Sequence, residues 1–241
     1  MEHSMNSVDI DAYKEYNKYM DFQNRRLDYV KAIKESIRLA AKYTQNKEGL
    51  VVADFCCGTG NNTKLLAEKV GSLAKVLLVD INKGFLDIAR QSEIKSNELK
   101  FYNEDILNVE FEKECDLVLS VFAYHHVKDS EKHRYIEQIK SCLKDGGFLI
   151  LTEIFLENRQ KCINYYEKLF SAIPVQDRIP GLENFLMQTA LSNDFEFKIG
   201  KKVADAQFRN AGFKLVEETK IWPLDNAMKK DEGTFVQVYK F

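Results

Sequence analysis

The chain has 241 residues, 45% of them hydrophobic and 30% charged, which suits one full-sized domain with its own core and is short for two. Lys plus Arg number 35 against 37 Asp plus Glu, a formal net charge of −2, so the strongly basic balance of a general nucleic-acid or membrane-surface binder is excluded. No apolar run approaches the roughly 20 residues that span a bilayer, and residues 1–14 lack the apolar stretch of a secretion signal, so a cytoplasmic protein without a membrane partner is expected.

Residues 8–20 are polar, with Tyr13, Tyr16 and Tyr19 at a helical three-residue spacing. Leu27, Val30, Ile33, Ile37 and Ala41 then predict an amphipathic helix over 24–44. Leu50 to Phe55 is a short apolar run. It is followed by Cys56-Cys57-Gly58-Thr59-Gly60 and a helical stretch over 63–70. Strand-like runs recur at 75–80, 99–102, 116–122 and 148–155, with helical stretches at 83–91 and 130–143 between them. This alternation is the mark of stacked strand–helix–strand units around a doubly wound, mostly parallel sheet. The strand runs are continuously apolar, as in strands covered by helices on both faces. After Phe155 the rhythm breaks. Helical pieces over 157–172 and 182–191 flank a stretch that holds Pro174 and Pro180, two of the three prolines in the chain. The pattern resumes with a helix over 203–211 and two strands, 213–222 and 235–241, close enough for an antiparallel hairpin. The expected organisation is a single domain. It comprises a helical cover (1–46), a core (48–156), an inserted helical lid (157–200) and a C-terminal helix and hairpin (201–241).

The sharpest feature is the turn from Asp54 to Asn61. Gly58 and Gly60 let the backbone bend tightly and let a ligand approach with no Cβ in the way. The next strand ends in Asp80, 20 residues after Gly60, where a carboxylate can accept both hydroxyl hydrogens of a ribose. A nicotinamide dinucleotide and S-adenosylmethionine both fit a glycine turn followed by such an acid. The position of the third glycine in a dinucleotide fingerprint is Thr63, and Asp54 before the turn would repel a pyrophosphate but attract the ammonium of a methionyl group. Charge therefore favours S-adenosylmethionine. The five cysteines are odd in number, form no Cys-x-x-Cys pair, and predict reduced thiols and no metal site.

Taken together, Val51-Val52-Ala53-Asp54-Phe55-Cys56-Cys57-Gly58-Thr59-Gly60, Leu77-Leu78-Val79-Asp80-Ile81, Asn103-Glu104-Asp105-Ile106, Phe122-Ala123-Tyr124-His125-His126 and Leu143-Lys144-Asp145-Gly146-Gly147 resemble the class I S-adenosylmethionine-dependent methyltransferases, closest to the branch acting on small molecules and quinone-like compounds. The resemblance spans about residues 48–156 and implies a Rossmann-like fold. It places Asp54, Gly58 and Gly60 around the methionyl part of the cofactor, Asp80 on the ribose, and Ile81 against adenine. Asp105 and Ile106 match the pair at the adenine amino edge, and Ser120 and Phe122 approach the methionyl end. Cys56 stands where the family often has glycine, beside the methionyl carbons.

Methyl transfer from a sulfonium is an in-line displacement, so a protein mainly aligns the partners and excludes water. An acidic acceptor also needs a base. His125 and His126 follow the fourth strand near the expected methyl position, with Tyr124 beside them, and either can brace the loop instead. Tyr19 is expected to fold over the cofactor. Arg25 and Arg26 are within reach of the methionyl carboxylate on this reading, but a solvated helix face is the expectation for both. Tyr166, Phe170 and Phe185 in the insertion are expected to wall an apolar substrate pocket. The expected function is methylation of an oxygen, nitrogen or carbon of a small organic molecule by a monomer or homodimer. The alternatives are an RNA or protein methyltransferase, a nicotinamide-dependent oxidoreductase and a non-catalytic cofactor-binding protein. Neither an Asn/Asp-Pro-Pro-Tyr/Phe motif nor a Pro-Cys nucleophile is present to support a nucleic-acid acceptor.

Overall fold

The computed structural model describes residues 16–71, 73–191, 196–225 and 228–241; Tyr13 lies outside them. Helix α1 (Tyr16–Arg25) and helix α2 (Leu27–Thr44) open the chain. Ala32, Ile33, Ser36, Ile37, Leu39 and Ala40 form the buried stripe of α2, which includes the expected Ile33 and Ile37 but is rotated from the expected face, so that Leu27, Val30 and Ala41 are only half-buried at its edge. The core follows as β1 (Val51–Phe55), α3 (Asn61–Val70), β2 (Leu73–Val79), α4 (Lys83–Gln91), β3 (Ser96–Tyr102), β4 (Cys115–Val121), α5 (Lys132–Cys142) and β5 (Leu143–Phe155). Helices α6 (Arg159–Ala172) and α7 (Leu182–Leu191) interrupt the alternation. Then α8 (Lys201–Asn210), β6 (Lys214–Trp222) and β7 (Gly233–Lys240) complete it. None of the described helices is long and apolar enough to cross a membrane.

The seven strands form one sheet in the order β3-β2-β1-β4-β5-β7-β6. Strands β1 to β5 pair in parallel, and β7 runs antiparallel to both β5 and β6, the expected hairpin. Successive residues of a strand point to opposite faces. Val52, Leu78, Leu117 and Ile150 therefore enter one apolar cluster with α2, α3, α6 and α7. Ala53, Leu77, Val118 and Leu149 enter a second with α5 and α8. Burial on both faces explains why these strands read as unbroken apolar runs.

Strand order runs outward from β1 in both directions, so it reverses between β1 and β4. There the carboxyl ends of β1 and β4 lie level, with Phe55 opposite Ser120. A crevice opens at such a reversal because the helices leave the two strands toward opposite faces. The segment between β5 and α8 packs on the N-terminal helices. Phe185 lies 4.9 Å from Phe22, ring centre to ring centre, and the buried Tyr165 hydroxyl donates to Asp28 at 2.6 Å.

Candidate active site

A cleft of about 910 Å³ lies at this reversal. Its floor is the turn after β1. The Cys57 N–H donates to the Val79 carbonyl at 2.9 Å, and the Gly60 N–H to the Cys57 carbonyl at 2.9 Å. Gly60 has φ of 71°, and a Cβ there would meet Ile94 at 3.1 Å and Ala89 at 3.4 Å, so only glycine fits both the backbone and the helix packing. Its place is beneath the turn, outside the cleft lining. Gly58 lines the cleft, and its N–H donates to Asp80 Oδ2 at 2.7 Å. Asp80 Oδ1 accepts the Asn82 N–H at 2.8 Å. These bonds fix the Asp80 carboxylate at the carboxyl end of β2 and leave lone pairs on both oxygens toward the cleft.

Cys56 and Phe122, at the carboxyl ends of β1 and β4, both line the cleft with φ of 56° and 54°. Side chains rarely adopt this left-handed backbone, and strain of this kind concentrates at functional sites. The Cys56 position is thus one that favours glycine on backbone grounds, and the thiol fills cleft space. Burial, reinforced by Asp80 and Asp105 for Cys56 and by Asp54 for Cys57, pushes both thiols up, so they are protonated and poor nucleophiles.

The charge of the lining discriminates between cofactors. Asp80, Glu104, Asp105 and Glu131 face it against Lys128 and Arg134. An acidic cleft repels a pyrophosphate and suits the sulfonium and ammonium of S-adenosylmethionine. Ile81 is 49% exposed on this wall, an apolar surface for a base. Asp105 and Ile106 line it as well, and the Asp105 carboxylate also accepts the Leu107 N–H at 3.0 Å, an Asx turn that orients it.

Asp54 departs from expectation. It is 1% exposed, lies outside the lining, and accepts the Thr63 hydroxyl at 2.7 Å, tying β1 to α3. Burial, with the charge of Asp80 adding to it, lifts its carboxyl to about 7. A carboxyl raised in the fold contributes stability that is full below its unfolded value near 4 and is lost as pH rises through 7. Asp54→Asn keeps the acceptor for Thr63 and removes the titration. Between pH 5 and 7.5 the wild type is expected to lose about 2 to 3 kcal/mol relative to Asp54→Asn in urea denaturation. Parallel pH dependences would refute a buried, titrating Asp54.

Helix α1 roofs the cleft. Tyr16 reaches Thr59 at 3.5 Å, and the rings of Tyr16 and Tyr19 pack on Phe85 at 6.2 and 6.1 Å. Tyr19 also borders a second, smaller cavity of about 50 Å³, whose walls include Arg26, Phe122, Tyr166, Phe185 and Glu196. His125 faces this cavity only, whereas His126 lines both spaces.

Buried carboxylates hold the histidine turn. Glu153 accepts the N–H groups of His125 at 3.0 Å and Ile154 at 2.6 Å, and its Oε1 lies 2.6 Å from His125 Nδ1. Burial, then the neighbouring His126, drives the His125 imidazole well below its ordinary value, so it is neutral. Its two ring nitrogens lie against two buried carboxyl groups, Nδ1 at 2.6 Å from Glu153 and Nε2 at 3.6 Å from Glu196, so the single ring proton serves one of them. Burial opposes ionisation of Glu196, but Lys198 overcomes it and holds the carboxyl below its usual range. Ligand-type atoms of His125, His126 and Glu196 fall within 4.8 Å of one another. The Lys198 ammonium already supplies the cation there.

Other expected site residues lie behind the cleft. The Ser120 hydroxyl pairs with Tyr135 at 2.7 Å, and the Tyr124 hydroxyl with Gln207, so both face the α5 and α8 side of the sheet. Phe170 packs under Arg178 at 4.7 Å and lines neither space. Arg26 is 5% exposed rather than on a solvated face, because Asp28 pairs with it in the interior. Nothing in the sequence reading singles out Glu153, Glu196 or Lys198. The acid inside the apolar run Leu151-Thr152-Glu153-Ile154-Phe155 was the one legible signal, since an unpartnered carboxylate does not sit in a buried strand.

Residues 52–147 match the family model of a methyltransferase domain. The demethylmenaquinone methyltransferase of Oceanobacillus iheyensis is 27% identical over 175 residues, 70% of this chain and 71% of that protein. The 2-phytyl-1,4-naphtoquinone methyltransferase of Trichormus variabilis is 24% identical over 196 residues, covering 79% and 82%. Among solved structures, the Burkholderia thailandensis 1,6-didemethyltoxoflavin-N1-methyltransferase, with 1,6-didemethyltoxoflavin and S-adenosylhomocysteine bound, superposes with a TM-score of 0.56 over 100% of this chain and 92% of its own, at 14% identity. Strand order, an acidic cleft at the β1–β4 reversal and the methyltransferase-domain model over residues 52–147 agree: the chain carries an S-adenosylmethionine-dependent methyltransferase domain on a Rossmann-like fold.

Proposed function

We propose that this enzyme methylates a hydroxyl of a small aromatic molecule, with His126 as the base. The observation that carries this reading is the position of His126 on the boundary, lining both the cofactor cleft and the smaller cavity. Asp80, Ile81, Asp105 and Ile106 hold the nucleoside end, and Cys56, Gly58, Tyr16 and Tyr19 surround the rest. When bound, S-adenosylmethionine supplies an electrophilic methyl on a positively charged sulfur, which leaves as a neutral thioether. His126 accepts the hydroxyl proton as the oxygen–methyl bond forms, and His125, its ring centre 4.1 Å away, keeps that imidazole in place. Tyr16 and Tyr19 over the cleft, with Phe185 and Tyr166 walling the smaller cavity, keep water from competing. Two relatives named for quinone methylation and a net charge of −2 support a small acceptor over RNA.

The test is methyl transfer from labelled cofactor into fractionated small-molecule extract, followed by kinetics on the acceptor found. His126→Gln is expected to lower kcat about a hundredfold with cofactor affinity unchanged. A kcat within twofold of wild type on a hydroxyl acceptor would remove His126 as the base.

A further inference from the structure

We infer that Arg26 recognises a second oxygen of the methyl acceptor. The enzyme thereby selects a planar aromatic molecule carrying a hydrogen-bond-accepting oxygen, carbonyl or enolate, besides the one that is methylated. The inference rests on the reading of a small aromatic acceptor given above, and concerns a different residue and a different step.

Arg26 lies between α1 and α2, in extended backbone with φ of −76° and ψ of 117°. Its Nε and one terminal nitrogen grip the Asp28 carboxylate at 3.2 and 2.8 Å, and the other terminal nitrogen donates to Gln23 Oε1 at 2.9 Å. A guanidinium carries five N–H donors, so two remain after these three bonds. Asp28 is fully buried and is itself held by Tyr165 at 2.6 Å and Thr234 at 3.3 Å. The guanidinium is therefore locked before any ligand arrives, and the Asp28 charge makes the pair neutral overall. A locked, neutralised fork favours a carbonyl or a delocalised oxygen over a free mineral anion.

The surroundings specify the shape of the ligand. The guanidinium carbon lies 5.8 Å from the ring centres of Tyr29, Phe122 and Tyr166, and Tyr29 stacks on Phe122 at 5.4 Å. Arg26 faces the cavity of about 50 Å³, which shares Tyr19, Tyr29, Phe122 and His126 with the main cleft. A space of this size holds the oxygen-bearing edge of a ring, a few water-sized groups, but not the ring itself. The ring then sits at the mouth among the shared aromatics, beside His126, with one edge reaching Arg26. An arginine that served only to tie α1 to α2 would need no cavity at its open side. Phe122 is kept at this mouth by a left-handed backbone, which a merely structural aromatic would not require.

The test measures binding by calorimetry to enzyme saturated with S-adenosylhomocysteine, using 2-hydroxy-1,4-naphthoquinone and 2-naphthol. These fused-ring hydroxyls differ in the extra ring oxygens. Wild type is expected to prefer the quinone at least tenfold. Arg26→Met combined with Asp28→Asn removes both charges together and is expected to bring the two affinities within twofold. Arg26→Lys keeps the ion pair but loses the planar fork, and should cut the preference at least threefold. Absence of a preference in wild type, including failure to bind either probe, overturns the inference, as does a preference that survives in Arg26→Lys or in the folded double variant. The His126→Gln enzyme should keep the wild-type preference. A preference intact alongside unaltered turnover in His126→Gln would count against the base and leave Arg26 standing.

Discussion

Asp80→Ala is expected to weaken S-adenosylmethionine binding by at least tenfold, and calorimetry reads it directly. The carboxylate does two things that alanine cannot. In the proposed site it offers charged acceptors to the ribose hydroxyls, and in the structure it holds the Gly58 N–H at 2.7 Å and the Asn82 N–H at 2.8 Å. A hydrogen bond to a charged acceptor contributes about 1.5 to 3 kcal/mol, so the loss of one alone accounts for about tenfold and of two for a hundredfold or more. The turn should loosen as well, since both backbone N–H groups lose the side chain that ties the end of β2 to the turn after β1. Burial raises the Asp80 carboxyl in the free protein, and a bound cation favours the ionised form again, so affinity should also fall toward acid pH. Asp80→Asn separates the two roles: an amide oxygen still accepts one backbone N–H, but its charge is gone. Unchanged affinity in Asp80→Ala would remove Asp80 from the site and with it the placement of the ribose.

The parts that the sequence made legible are those that local chemistry dictates. A continuous apolar strand, a glycine at φ of 71° and an acid at a strand end have few structural meanings, so β1, the turn at Gly60 and Asp80 could be read in order. Boundaries shifted where pairing decides them. Strand β5 begins at Leu143, five residues before the apolar run at 148, because Leu143 pairs with Cys115 across an irregularity between Cys115 and Leu117. The substrate side was far less legible. Arg26 and Asp28 are polar letters at the start of an amphipathic helix, and only the long-range contact with Tyr165 makes them interior. Ser120 and Tyr124 fall at the right place in the chain but on the wrong face of β4 and of the turn after it. Ser120, Phe122 and Tyr124 are two residues apart, so regular alternation would give them one face; the left-handed backbone at Phe122, φ of 54°, breaks that alternation, and Phe122 lines the cleft while the other two do not. Glu196 and Lys198 reach the site through segments with no periodic signal, and Phe197 between them points into the cofactor cleft.

Lys132→Met is expected to cost about 2 to 4 kcal/mol of stability and to lower kcat more than it weakens cofactor binding. Lys132 is fully buried, and burial pulls its ammonium below the usual lysine range. Such a group is tolerated because it has partners on every side. It donates to the carbonyls of Tyr124 at 3.2 Å, Val127 at 2.5 Å and Phe197 at 2.9 Å, and pairs with Asp129 at 3.3 Å. Methionine matches its length and relieves the buried charge, but it leaves the Val127 and Phe197 carbonyls without that donor, at about 1 to 3 kcal/mol for each that water cannot reach, while the Tyr124 carbonyl keeps the Val127 N–H at 3.2 Å. Those carbonyls bracket His125 and His126 on one side and anchor Phe197 on the other, and the Phe197 N–H closes the ring by donating to the His125 carbonyl at 2.7 Å. Loosening this knot displaces the proposed base and the wall beside it. Asp80 and the turn after β1 lie across the cleft and keep their own bonds, so the cofactor should still bind. Urea denaturation measures the first effect, and kcat beside the calorimetric Kd measures the second. Equal stability of Lys132→Met and wild type would mean that the ammonium does not hold the turn. A parallel fall in affinity and kcat would mean that the histidine turn and the cofactor wall move as one body.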